Sequence, residues 1–219
     1  MTCRRLTLRA IAITGLLVHP IVLRAQHLGL TFAYTTSDIL TTYSDGTSSG
    51  QQNRNAFSAG VTYRHYLGYR TVLQPELLWV PKGYGPDSKP TRTLGYVEVP
   101  VLVRFGALAP KGASFSPVFT VGPTLAVLAT CKLAGMPAVT TNESCDQVIT
   151  TPYEADYRMK RVDVGLMLGL GFEARGRKGG IVGIEGRYEH GFVDSENQPG
   201  NSHNQVFFLV LHVVPSKWY

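Results

Sequence analysis

Histidine and serine residues are the first candidates for chemistry, because acyl hydrolysis needs a nucleophile and a base within hydrogen-bond reach of each other. His65 and Ser58 stand an odd number of positions apart in one strand-like segment, so their side chains would project to opposite faces. His190 and Ser195 are close in sequence, which does not by itself assemble a catalytic site. We expect His212 to be a packed interior residue. The sequence therefore predicts no catalytic residue, no metal ligand and no cofactor.

A second set of candidates is ionic. Seven arginines and glutamates fall on the polar side of segments in which polar and apolar residues alternate: Arg64, Glu76, Glu98, Arg104, Glu173, Glu185 and Arg187. Inside a closed sheet these carboxylates would need cationic partners. We therefore predict one charge network that joins the three arginines to the four glutamates. It would pack and rigidify the interior; the alternative is a path for protons or small ions.

Cys131 and Cys145 lie in one polar segment, and their spacing matches no metal-binding motif. An exported protein would carry them into an oxidising compartment. A disulfide between them would close a loop of about 15 residues and contribute roughly 3 kcal/mol in the chain-entropy model. We predict this bridge, with two free thiols as the alternative.

The elements that must position these residues are strands, because the polar pattern has a period of two. The clearest segment runs from Val162 to Glu173, where large apolar residues occupy every second position and three glycines stand among the others. Each glycine inside a helix would cost about 1 kcal/mol, so a helix is excluded here. The alternation predicts an all-β fold, since it recurs in eight segments: residues 28–34, 57–64, 73–79, 96–105, 119–127, 162–173, 182–189 and 207–213.

The connections between these segments, and the residues on their two faces, indicate whether lipid or water surrounds the sheet. The connections alternate between long and short, near residues 39–54, 67–70, 82–92, 107–114, 129–160, 175–179 and 193–203. Outer-membrane barrels have short periplasmic turns and long external loops. One face of the segments carries no Asp, Glu, Lys or Arg, and a charge on a lipid face costs about 2–4 kcal/mol at mid-depth. We therefore predict an eight-stranded antiparallel transmembrane up-and-down β-barrel, with a soluble lipocalin-like barrel as the alternative.

Residue packing allows a test of the predicted hairpins. Large ionic residues in a narrow interior should lie opposite glycines, so that side chains interdigitate. A turn centred near Arg177 would pair Gly169 with Glu185 and Gly165 with Glu189.

The N-terminal segment has the pattern of a secretory signal. Arginines within the first nine residues precede an apolar run over residues 10–23, and Ala25 provides a small residue before a cleavage point. We predict a signal peptide over residues 1–25 and a barrel domain over residues 26–219. Four of the excess positive charges lie in this segment, so the remainder of the chain is nearly neutral and nucleic acid is not a predicted partner.

Two stretches resemble a known family. Residues 74–83, Gln-Pro-Glu-Leu-Leu-Trp-Val-Pro-Lys-Gly, are similar to the third-strand motif of PorT-like outer-membrane barrels. Residues 96–104, Tyr-Val-Glu-Val-Pro-Val-Leu-Val-Arg, resemble the strand that follows it in that family. The resemblance covers essentially the whole chain and implies an outer-membrane barrel. The name-giving member of the family assists protein secretion, but the cysteine-bearing third loop of this chain departs from the family pattern.

These observations predict an integral protein of the bacterial outer membrane with a structural or interaction role. The interior would be plugged, and external loops, above all residues 129–160, would contact an envelope protein or a surface. Outer-membrane lipid is the other expected partner. The resemblance alone implies an alternative, an accessory component of a secretion or envelope-assembly machine. An enzyme that modifies outer-membrane lipid is a further alternative.

Overall fold

A computed structural model describes residues 28–42, 48–50, 53–84, 91–108, 114–134, 143–144, 161–193 and 201–216. Most of these residues form eight long strands: β1 (Leu28–Thr42), β2 (Arg54–Tyr63), β3 (Thr71–Tyr84), β4 (Thr91–Phe105), β5 (Phe115–Ala134), β6 (Val162–Arg175), β7 (Ile181–Gly191) and β8 (Asn201–Val214). Three short strands, Ser48–Gly50, His65–Tyr66 and Glu143–Ser144, pair with β1, β3 and β5 respectively. The predicted signal peptide lies outside the described residues.

The sheet closes on itself because β1 pairs with both β2 and β8. Each strand runs antiparallel to its neighbours in sequence, and β1 meets β8 from Leu30–Val213 to Thr42–Asn201. Closure removes the free edges that a bilayer does not tolerate. The predicted eight-stranded up-and-down barrel is confirmed. We call the end where β1 begins and β8 ends the proximal end, and the opposite end the distal end.

Side chains on the strands alternate between an apolar outer face and a polar interior. On β6, Leu170 is 68% exposed, whereas Asp163 and Glu173 are buried. Around the barrel the exposed large residues are leucine, valine, isoleucine and aromatics, and the buried residues include arginine, lysine and glutamate. The predicted assignment of faces is therefore confirmed, and it is the reverse of a soluble barrel. No helix among the described residues is long and apolar enough to cross a membrane.

The β6–β7 hairpin differs from its predicted register. The pairing of Gly169 with Glu185 and of Gly165 with Glu189 is wrong, because each glutamate pairs with the residue two positions further along β6. The turn is centred at Lys178, one residue later than predicted, and the adjacent Gly179 adopts a φ of 88°. Glycine tolerates this left-handed conformation, which allows the tight turn at that position.

The connections do not all have the predicted lengths. β3 and β4 remain paired as far as Tyr84 and Arg92, so only residues 85–90 separate them at the distal end. At the proximal end, residues 106–114 separate β4 from β5. The predicted alternation of long and short connections is thus wrong at the β3–β4 hairpin. Lys82, in this extra paired segment, points into the barrel and contacts Glu98 and Glu189.

Candidate functional site in the barrel interior

The interior near the proximal end holds a group of six charged residues, the proximal cluster: Arg64, Glu76, Arg104, Glu173, Glu185 and Arg187. Each of them is at most 3% exposed. Three arginines face three glutamates, so the formal charges of the cluster balance. Removing one partner of such a buried ion pair typically costs about 3–5 kcal/mol, because the remaining charge loses its partner without regaining water.

Glu173 on β6 lies at the centre of the proximal cluster. Its Oε1 pairs with Arg64 Nη2 and lies 3.1 Å from both Arg104 Nη2 and His212 Nε2. Its Oε2 accepts a hydrogen bond of 2.9 Å from the backbone N–H of Leu108. One carboxylate thereby joins side chains from opposite parts of the wall and a backbone group beyond β4.

Arg187 on β7 contacts carboxylates from two strands. Its Nη1 lies 2.8 Å from Glu76 Oε2, and its Nη2 lies 3.1 Å from Glu76 Oε1, a bidentate arrangement. The same Nη2 lies 3.2 Å from Glu185 Oε2, which is 3.1 Å from Arg104 Nη2. Gln74 donates a 2.6 Å hydrogen bond to Glu76 and accepts one of 3.0 Å from Arg104. The six charged residues therefore form one connected network.

A second ionic group, the distal cluster, lies in the interior towards the other end: Lys82, Glu98, Asp163 and Glu189. Lys82 Nζ is 2.9 Å from Glu98 Oε2, and 3.0 and 3.1 Å from the two carboxylate oxygens of Glu189. It also lies 5.3 Å from the ring centroid of Tyr96, within cation–π range. Asp163, the third carboxylate, accepts a hydrogen bond of 2.8 Å from Asn204 Nδ2. The distal cluster therefore contains one cation and three carboxylates, so its formal charge is negative, whereas the formal charges of the proximal cluster balance.

Apolar side chains separate the two clusters on most of the wall. We call them the apolar layer: Ala33, Leu78, Val80, Leu102, Met167, Val206, Phe208 and Val210. On β4, for example, Leu102 stands between Arg104 and Glu98. β7 is an exception, because Arg187 and Glu189 are consecutive inward residues. An ion that crossed the apolar layer would lose its hydration, which is costly without compensating partners.

The structure brings six of the seven residues of the predicted charge network together. Glu98 lies elsewhere, against Lys82 rather than against an arginine. The predicted network does not include Lys82, because the sequence places this residue at the start of the predicted connection near residues 82–92. Lys82 nevertheless continues the alternation in which residues 74, 76, 78 and 80 point inward. This alternation is the sequence signal that identifies Lys82 as an interior residue. A functional role for the network stays a prediction.

The chain also matches a family of known proteins. The family model of the outer membrane protein beta-barrel domain matches residues 24–197, which is most of the chain. The chain belongs to this family. It is therefore an integral protein of the bacterial outer membrane, as the sequence predicts. No curated protein sequence is significantly similar to it.

Several solved structures are similar to this outer-membrane barrel. Ail, the attachment invasion locus protein of Yersinia pestis, is 13% identical with a TM-score of 0.45, and the match covers 85% of this chain and 97% of Ail. Neisserial surface protein A is 10% identical with a TM-score of 0.48, over 86% of this chain and 97% of that one. The outer membrane enzyme PagL is 10% identical with a TM-score of 0.39, over 83% and 99%.

The candidates for catalysis lie apart in the described residues of the outer-membrane barrel. His65 is exposed on the outer face, whereas Ser58 is buried in the interior. His190 lies on the outer face of β7, and Ser195 is outside the described residues. His212 contacts the proximal cluster. Within the described ranges, no group of three or more His, Cys, Asp and Glu side chains has a geometry that suits a metal ion.

Cys131 lies near the distal end of β5 and is disulfide-bonded. It stands opposite Leu94 and packs against a small buried group that also contains Tyr96 and Ala126. Its predicted partner, Cys145, lies outside the described residues, so the pairing stays a prediction.

Proposed function

We propose that this outer-membrane barrel is a structural and interaction protein, with a plugged interior and with partner-binding connections at the distal end. The observation that carries the proposal is the packing of the interior, where two ionic clusters and an apolar layer are buried together. An eight-stranded barrel is only just wide enough for side chains to fill it. Because large side chains from most of the strands are buried there, solute passage is not the function that we infer.

The proposed orientation has the proximal end in the periplasm and the distal connections outside the cell. The longest stretch between two strands, residues 135–161 between β5 and β6, would then be external. Loops on a rigid scaffold commonly carry binding function. We propose that this stretch contacts an envelope protein or a surface, while the apolar outer face contacts outer-membrane lipid. Residues 1–25 are proposed to be the signal peptide that exports the chain.

The narrower assignment to the PorT-like barrels is also a proposal, and the two motifs support it. The motif residues Glu76, Lys82, Glu98 and Arg104 all point inward and form ion pairs. The motifs thus describe how the interior packs and do not specify a role in secretion. An accessory role in a secretion or envelope-assembly machine therefore rests on the resemblance alone.

We further propose that the protein is not an enzyme. The support is geometric, because the imidazole of His212 is fully buried and its Nε2 contacts Glu173 and Arg64 instead of facing an open site. On the outer face, His65 has neither a serine nor an acid directly opposite, since it pairs with Leu73. Substituting His65, His190 and His212 by glutamine should leave the membrane lipid profile unchanged. A changed profile in any one variant that still folds would contradict this part of the proposal.

Conductance of the full chain in planar lipid bilayers tests the plugged interior. The parent protein should give no current steps above those of protein-free bilayers. A Phe208→Gly, Met167→Gly variant, which removes two large side chains from the apolar layer, provides the matched control and should conduct more than the parent. Steady porin-like conductance of the parent protein would refute the plugged interior.

Photo-crosslinking in intact cells tests the interaction role. A photoreactive amino acid placed at successive positions in residues 146–157 should give discrete protein adducts, and the same label at Lys178 in the proximal turn should give a different set. If every position in residues 146–157 yields no adduct, or adducts identical to those at Lys178, the proposed distal binding role is wrong.

A further inference from the structure

The outer surface of the barrel contains a groove where β1, β2, β3 and β8 meet. Its volume is about 320 Å³, and the side chains that form it include Phe32, Tyr34, Phe57, Ala59, Trp79 and Leu211. The groove exists because the small Ala59 stands between two large residues. It pairs with Phe32 on one side and with Trp79 on the other, so the surface dips at β2.

The position of the groove along the barrel is fixed by its neighbours on β1 and β2. Towards the proximal end the outer face remains apolar at Val61. Towards the distal end it becomes polar at Thr36 and Asn55, which share an exposed hydrogen bond of 3.0 Å. Polar residues at this level mark the limit of the apolar band that faces lipid. The groove therefore opens into the hydrocarbon of the leaflet nearest the distal end.

The rim of the groove is aromatic. The Tyr34 and Phe57 rings meet edge to face, with centroids 5.5 Å apart and an interplanar angle of 65°. Phe32 and Trp79 flank the groove floor because their backbones pair with that of Ala59. The groove is open on the outer surface, so its lining gains dispersion contacts when another molecule fills it.

We propose that this groove binds one acyl chain of a membrane lipid. The surface around it already faces lipid, and a flexible hydrocarbon chain can follow a concave floor. The outer surface of a second barrel is convex and built from rigid strands, so two barrels would touch beside the groove rather than fill it. The preference for an acyl chain over a second barrel must come from the shape of the groove. Within the bilayer neither occupant gains hydrophobic transfer free energy, because lipid chains are as apolar as the groove.

Native mass spectrometry of the full chain, released from nanodiscs of dimyristoylphosphatidylglycerol, tests the proposal. Ala59→Leu fills the groove, and Ala174→Leu makes the same change at another exposed outward position, on β6. The parent and Ala174→Leu should retain one phospholipid each. Ala59→Leu should reduce the retained fraction by about fivefold, which corresponds to a loss of roughly 1 kcal/mol of binding. Ala59→Val, a smaller filling, serves if Ala59→Leu does not fold.

Trp79 provides a second readout at the site itself. In a Trp218→Phe background, vesicles that contain dibrominated phosphatidylcholine should quench Trp79 fluorescence strongly, and Ala59→Leu should weaken this quenching while Ala174→Leu does not. Equal phospholipid retention by Ala59→Leu and the parent would overturn the proposal. So would a dimer of the parent that Ala59→Leu alone abolishes, since the occupant would then be a second copy of the chain. Neither result depends on whether the interior conducts ions or on whether the distal connections bind a partner. The groove proposal can therefore fail while the proposed function stands.

Discussion

Replacing Arg187 by methionine removes the cation that forms the bidentate pair with Glu76 in the proximal cluster. The substitution breaks two hydrogen bonds to Glu76, at 2.8 and 3.1 Å, and one to Glu185 at 3.2 Å. Glu185 keeps its ion pair with Arg104, whereas Glu76 keeps its hydrogen bond from the neutral side chain of Gln74. We expect the free energy of unfolding to fall by about 3–5 kcal/mol, because a buried carboxylate is left without its charge partner.

The double variant Glu76→Met, Arg187→Met separates the charge effect from the loss of packing. It removes both members of the pair and leaves two arginines facing two glutamates in the cluster. Replacing a buried ion pair by apolar residues of similar size is often close to neutral. We therefore expect the double variant to lie within roughly 1–2 kcal/mol of the parent, which requires a coupling energy of several kcal/mol between the two sites.

Equilibrium urea unfolding in lipid vesicles, followed by tryptophan fluorescence and by gel mobility of unboiled samples, measures these differences. Lys178→Met in the exposed proximal turn is the control, and it should change the free energy of unfolding by less than about 0.5 kcal/mol. If the double variant loses the sum of the two single losses, the residues are not coupled. The electrostatic account of the proximal cluster would then be refuted.

Three further predictions concern other parts of the barrel. Leu168→Arg places a charge on the lipid face and should lower the free energy of unfolding in vesicles by about 2–4 kcal/mol. Gly183→Leu directs a side chain into the His212 ring and should cost about 1–3 kcal/mol by overpacking, measured in the same way. Cys131→Ser with Cys145→Ser should cost roughly 3 kcal/mol if the two are bridged, and a reductant should then destabilise the parent but not the variant.

The faces of the strands could be predicted because burial follows sequence parity. On β6, every second residue from Val162 to Leu170 is exposed and those between are buried. Two general properties are enough to predict this regularity. Side chains alternate between the two faces of a strand, and in a membrane barrel one face meets lipid while the other faces a polar lumen. The antiparallel barrel could be predicted because long and short connections alternate along most of the chain, as they do in outer-membrane barrels.

The register and the ion-pair partners could not be predicted in the same way. The register of β6 and β7 depends on the turn at Gly179, and a turn centred one residue later shifts every pair by two. Ion pairs depend on which side chains meet across the interior. Glu98 and Glu76 both point inward, yet one pairs with Lys82 and the other with Arg187, which strand parity does not reveal.

Nitroxide labels at two consecutive residues of β6 test most directly whether the outer face meets lipid and the interior is filled. In a cysteine-free background, Leu168→Cys and Met167→Cys are labelled separately, and collisions with oxygen and with a water-soluble nickel chelate are measured in vesicles. The label at residue 168 should collide with oxygen and not with nickel, and the label at residue 167 should be shielded from both. Strong nickel collisions at residue 168 would place that face in water, and strong collisions at residue 167 would show an open aqueous lumen.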